Sequence, residues 1–162
     1  MVIVLMGVSG AGKTTIGRLL ADRLGWPFYD ADDLHSTENK EKMAHGIALT
    51  DTDRKPWLVS IRDLIATILA SNSDAVIGCS ALKQSYRDEI LVDPARVKIV
   101  YLKGSRELIA QRLARREHHF MSKDLLGSQL DTLEEPHDAI VVDIDAAPES
   151  IVDDILGKLQ DK

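Results

Sequence analysis

Cysteine is almost missing from this 162-residue sequence: Cys79 stands alone, so no disulfide can close within the chain. That points to a reducing, cytoplasmic setting. Cys79 lies in an apolar run and reads as a small buried side chain. Long hydrophobic runs are missing too. None approaches the ~20 residues of a membrane span, so no membrane association is expected. Positive charge is in short supply, with a formal net charge of −6. An acidic chain gains nothing from phosphate backbones, which argues against nucleic acid as a partner. An anionic substrate would have to be held by local Arg and Lys. The sequence opens directly on a predicted strand, from which no signal peptide is expected. It contains no internal repeat, low-complexity run or interdomain linker, so residues 1–162 read as a single domain of ordinary globular composition.

What is present is an alternation of two periodicities. Val2-Ile3-Val4-Leu5-Met6 is a short aliphatic run of the kind that forms a fully buried strand. From Lys13 to Leu24 the apolar residues Ile16, Leu19, Leu20 and Leu24 recur at helical spacing, and Gly25 supplies a stop. Further strands are predicted at 27–30, 75–79, 97–102 and 139–144, each followed by helical character. Strand and helix in alternation imply a parallel sheet with helices on both faces. Ligands then bind beyond the carboxyl ends of the strands. Residues 33–71 are too long for one crossover helix and are expected to be mainly helical. Leu58, Ile61, Leu64, Ile65, Ile68 and Leu69 form the apolar face there, and Asp51 or Asp53 is the candidate N-cap. Residues 112–135 begin polar and basic and are read as a cover, with a lid over about 112–127. The last helix is predicted over 148–159.

Behind the first strand stands GVSGAGKTT, which fits the phosphate-binding pattern G-x-x-x-x-G-K-[ST]. Its glycines let backbone N–H groups approach phosphate oxygens, and the following helix adds its positive end. Gly7, Val8, Ser9, Gly10, Ala11, Gly12, Lys13, Thr14 and Thr15 are therefore the candidate nucleotide cradle. Lys13 can reach the outer phosphates of a nucleoside triphosphate, and the Thr14 hydroxyl can ligate Mg²⁺. The class of P-loop protein follows from what is lacking. No N-K-x-D guanine signature lies at a strand end, and the third strand runs into Ser80 rather than an acidic residue. The remaining class is the small-molecule kinases, which use arginines and a closing lid to exclude water.

The acceptor side is less specific. Asp30 and Asp32 alternate at the end of the second strand, so both can project from the same side. One carboxylate can hold a metal-bound water while the other takes a hydroxyl proton. Arg54 can fork onto a carboxylate. Lys83 and Arg87 lie one helical turn apart after the third strand. Arg112 and Arg116 share a helix face suited to phosphate charge or an adenine ring. The adjacent His118 and His119 have no Cys or third His nearby and are not read as a zinc site.

Taken together, MGVSGAGKTT, DADDLH, LTDTDRKPWL, CSALKQSYRD, IVYLKG, HHFMSKDLLGSQLDTLEEP and VVDID resemble the gluconate kinases (gluconokinases) of the P-loop small-molecule kinase group. The segments run in order from Met6 to Asp145. The resemblance implies an α/β three-layer sandwich with a five-stranded parallel sheet in the order 2-3-1-4-5, a helical substrate region at 33–71 and a lid. It also implies ATP- and Mg²⁺-dependent phosphorylation of D-gluconate at its 6-hydroxyl. By comparison with the related shikimate kinases, Asp30 would lie near the Mg²⁺ shell and Asp32 would bind the acceptor hydroxyl. Arg54 would meet the substrate carboxylate, and Arg112 would act from the lid beside the catalytic Lys13. His35, Lys83 and Arg87 fall in gluconokinase-like motifs and so join the expected acceptor pocket. A shikimate kinase is the nearest rival, but such enzymes carry a glycine triplet where this chain has Ser80-Ala81-Leu82. A nucleotide-binding regulatory protein without transfer activity is the rival of another class. Oligomeric state is left open, since any amphipathic helix face could serve a homodimer.

Overall fold

Five aliphatic runs pair in parallel into a single sheet in this computed structural model, which describes residues 1–116 and 123–162, without the side chains of 123–125. The strands are β1 (Val2–Met6), β2 (Phe28–Asp30), β3 (Ala75–Gly78), β4 (Val97–Lys103) and β5 (Ile140–Asp143), in the spatial order β2-β3-β1-β4-β5. β1 is central, pairing Val2 with Ala75 on one side and with Val97 on the other. Seven helices are described: α1 (Lys13–Leu24), α2 (Thr37–Ala44), α3 (Asp51–Ala70), α4 (Gln84–Ile90), α5 (Arg106–Ala114), α6 (Lys123–Thr132) and α7 (Pro148–Gln160).

Strand alternation divides the core into two layers. Ile3 and Leu5 of β1 join Val76, Val100 and Val142 under Ile16 and Leu20 of α1 and Ile151, Val152 and Ile155 of α7. Val2, Val4 and Met6 face the other way, with Ile77, against Trp57, Leu58, Ile61, Ile65 and Ile68 of α3 and Tyr86 and Ile90 of α4. The fold is therefore the expected three-layer α/β arrangement. Every paired strand runs parallel to its neighbour, so the loops that leave the strands gather at one edge of the sheet.

Local corrections follow from backbone hydrogen bonding. The N-cap of α3 is Thr50, not Asp51 or Asp53: its side chain accepts from the Asp53 N–H at 3.1 Å, and Asp53 accepts from the Thr50 N–H at 2.9 Å. Asp53 is thus the third helical residue of a capping box, a position that also favours an acid. β2 ends at Asp30, and Asp32 lies in a 3-10 turn over Ala31–Leu34. Strand alternation therefore does not set the relation between the two carboxylates. α5 ends at Ala114, so Arg112 and Arg116 do not share a helix face. The histidine pair at 118 and 119, and the middle of the expected lid, lie outside the described residues.

Candidate active site

Residues 7–12 leave β1, turn beneath the end of the sheet and enter α1. Gly10 (φ +84°) and Gly12 (φ +95°) hold left-handed backbone that a side chain resists. A Cβ on Gly10 would also come within 2.8 Å of Leu113. Gly12 caps α1 without any side-chain hydrogen bond, so the first-turn N–H groups face outward unblocked by a capping side chain. That uncapped end, joined to a glycine turn, fits an anionic phosphate chain.

Lys13 bridges this turn, its Nζ donating to the Gly7 carbonyl at 2.9 Å and the Val8 carbonyl at 3.0 Å. Desolvation lowers its pKa, opposed by the nearby charges of Asp32 and Asp30. Asp32 mirrors it: desolvation of the carboxyl raises its pKa, and Lys13 pulls it back. Solvent still reaches the Asp32 side chain, so the pair is crowded rather than sealed. Asp30 accepts from the Asp32 backbone N–H at 2.9 Å, and its other oxygen accepts from the Thr14 hydroxyl at 3.3 Å. Thr14 and Asp30 thus form an oxygen pair beside the phosphate turn, the hard-donor chemistry that Mg²⁺ prefers.

Cys79 sits behind Lys13 and is buried; its thiol is pushed up to about 12 by burial, which leaves it inert.

The 3-10 turn continues toward the acceptor side. His35 donates its backbone N–H to the Asp32 carbonyl at 3.2 Å and stacks on Trp57, with ring centroids 4.3 Å apart. Trp57 in turn donates to the Ala31 carbonyl at 2.7 Å, fastening α3 to the turn. Burial, with the charges of Arg54 and Lys40, lowers the His35 pKa to about 4, so the imidazole is neutral near pH 7. Its Nδ1 lies 3.3 Å from the Asn39 amide. Arg54 is half-buried and donates to the Leu49 carbonyl at 2.9 Å and the Tyr86 hydroxyl at 3.1 Å. Lys83 is ion-paired with Asp51 at 3.0 Å and lies over the Tyr86 ring. Thus His35 follows directly on Asp32 and feels the charge of Arg54, while Arg54 and Lys83 meet at Tyr86.

Arg87 does not join them. It is 2% exposed, and its guanidinium donates to the carbonyls of Ala81, Leu82 and Glu134 and to the Gln84 side chain. Its Nε is the one buried side-chain atom without a partner among the described residues. Arg87 borders a separate cavity of about 400 Å³ between α4, β4 and the approach to β5. The expected acceptor ligand is instead an internal fastener: the chain turns at Ala81 (φ +44°), where Arg87 takes the Ala81 and Leu82 carbonyls, and the Glu134 carbonyl reaches it from a distant segment. Arg87→Met should strand those carbonyls and destabilise the protein by about 3 kcal/mol or more. Urea unfolding would report it as a lower midpoint; an unchanged midpoint with a raised acceptor KM would restore the acceptor role.

Arg112, Arg115 and Arg116 adjoin the phosphate turn from the far side. Arg112 donates to the Ile144 carbonyl and comes near Gly12. With Arg115, Arg116, Thr15, Ala146 and Pro148 it lines a cavity of about 290 Å³. The loss of a common helix face is therefore made up by the fold.

Residues missed in the sequence are Trp57, Asn39, Tyr86, Asp51 and Gln129. The last accepts from the Ser9 N–H at 2.7 Å, linking α6 to the phosphate turn. Each of these except Asn39 stands inside a motif segment, but nothing in spacing alone marks it.

Comparison with known proteins gives the family and the fold. The family described as Shikimate kinase matches over residues 9–160. A gluconokinase from Gluconobacter oxydans is 44% identical, over 98% of this chain and 90% of its own. A solved gluconokinase from Sinorhizobium meliloti is 43% identical with a TM-score of 0.88, covering 98% of this chain and 90% of that one. A shikimate kinase from Aquifex aeolicus, at 23% identity and a TM-score of 0.62 over 99% of this chain and 96% of that one, shares the fold.

Proposed function

Because the chain belongs to the gluconokinase family, within the wider shikimate kinase family, we propose that it phosphorylates D-gluconate at the 6-hydroxyl with ATP, giving 6-phospho-D-gluconate and ADP. It is a kinase, and its P-loop family implies ATP as the donor. The observation that carries the choice of acceptor is the single turn over Ala31–Leu34. It carries Asp32, whose carboxyl feels the charge of Lys13, and leads directly into His35, which feels that of Arg54. A hydroxyl acceptor with an acid at its other end suits that order: proton acceptor, neutral hydrogen-bonding ring, then cation.

In this reading the turn over residues 7–15 cradles the phosphates, chiefly through the N–H groups of Gly10 and of the uncapped start of α1, and Lys13 exchanges its two carbonyl partners for the outer phosphate oxygens. Asp32 orients the 6-hydroxyl and takes its proton late in transfer. The Thr14 hydroxyl and Asp30 would hold Mg²⁺, which would supply charge neutralisation to the phosphates when bound. Arg112 and Arg116 meet the nucleotide from the cavity beside Gly12 and keep water from the transferring group. His35, Arg54 and Lys83 line the acceptor. Among the described residues no helix is long and apolar enough to cross a membrane, and a cytoplasmic site of action fits the lone inert thiol.

The test is ADP release with Mg-ATP across D-gluconate, its epimers, shikimate and water. Stimulation by gluconate is expected. Stimulation by shikimate alone would keep the fold and overturn the acceptor. Binding of ATP with no stimulation by any acceptor would point to a regulatory protein.

A further inference from the structure

Arg54 leaves its donors unequally engaged. One terminal nitrogen carries both of its hydrogen bonds, to the Leu49 carbonyl and the Tyr86 hydroxyl, and the guanidinium lies 5.5 Å over the Tyr86 ring. Its Nε and other terminal nitrogen have no partner among the described residues. Those two nitrogens form one edge of the guanidinium fork, the edge that receives a carboxylate in a two-point contact. Lys83, the other cation here, already has its amine on Asp51.

Tyr86 holds Arg54 in this attitude. It is 4% exposed, wedged in the core between α3 and α4, so its hydroxyl has a fixed position. The hydroxyl accepts from Arg54 and donates to the Asp51 carboxylate, which stands in the first turn of α3. A flexible arginine stem is thus held at its tip by a group from another helix. Ordering it before the acceptor arrives removes that cost from binding.

We propose that Tyr86, backed by Asp51, is a positioning residue that sets Arg54 for the acceptor's carboxylate and so favours acids over neutral polyols. The inference rests on the reading of Arg54 as the acid's partner. Tyr86→Phe should raise the KM for D-gluconate about tenfold. The KM for ATP and kcat should stay within about twofold of the wild type. The decisive measurement is a double-mutant cycle with Arg54→Ala. If Tyr86 acts through Arg54, Tyr86→Phe has no further effect on kcat/KM in the Arg54→Ala background. Multiplying losses, or a parallel rise in the ATP KM, would make Tyr86 a mere fastener and overturn the proposal. Asp51→Ala, at an exposed carboxylate, removes the backing without touching the core but also frees Lys83, so its rise in gluconate KM supports the proposal only if it disappears in the Arg54→Ala background. Arg54→Ala by itself separates the two levels. An unchanged gluconate KM there would end the reading of Arg54, whereas a large rise with independent Tyr86 losses would end only this inference.

Discussion

Replacing Lys13 by methionine is expected to lower kcat by about a thousandfold, seen as lost ADP production at saturating ATP and gluconate. Methionine keeps the aliphatic stem and removes the charge and the donors. The charge matters because it faces transferring phosphate, where a positive group stabilises the transition state in a site partly shut from water. The side chain's state without nucleotide sharpens the expectation. Desolvation lowers the pKa of the ammonium, so folding works against its charged form. The sign is that stability contributed by this group rises as pH rises through the lowered pKa. Removing the charge should therefore not lower the melting temperature of the nucleotide-free protein, even though the two carbonyl contacts go. The rise in melting temperature on adding Mg-ATP should shrink at the same time. Near-normal turnover would refute the site.

Asp32→Asn should cut kcat by a factor of about 10²–10⁴ while leaving ATP affinity within a few-fold. The amide can still touch the acceptor hydroxyl but cannot take its proton. The ionised carboxylate is the active form. Desolvation raises the Asp32 pKa, so kcat/KM for the acceptor should fall as pH drops through that raised value. In the variant that acid limb should vanish. A loss of nucleotide binding equal to the loss of turnover would move Asp32 from the acceptor to the phosphates.

The strands, their parallel pairing and the phosphate turn were legible because each is written in contiguous residues. An aliphatic run such as Val2–Met6 has few alternatives, and a glycine turn between strand and helix has one strong use. Strand alternation does not relate Asp30 to Asp32, because an Asp at a strand end can cap its own next turn, and this one does. Arg112 and Arg116 were grouped by a helix that stops two residues short of Arg116, yet both reach the same cavity. Arg87 was misplaced for a plainer reason. The carbonyl that holds its far nitrogen belongs to Glu134, 47 residues away, and no local pattern announces it. Tyr86 was hidden likewise, since its partners Arg54 and Asp51 come from a different helix.

The stacking of Trp57 on His35 gives the chain its own optical handle on the proposed acceptor wall. Only one other indole exists, Trp26, and it packs against the opposite layer of the sheet. Trp57 emission can therefore be isolated by changing Trp26 alone, and it reports from a ring fixed at both its face and its nitrogen. Acceptor arrival and nucleotide arrival could then be timed separately in the unlabelled protein, with no reporter attached to the machinery being watched.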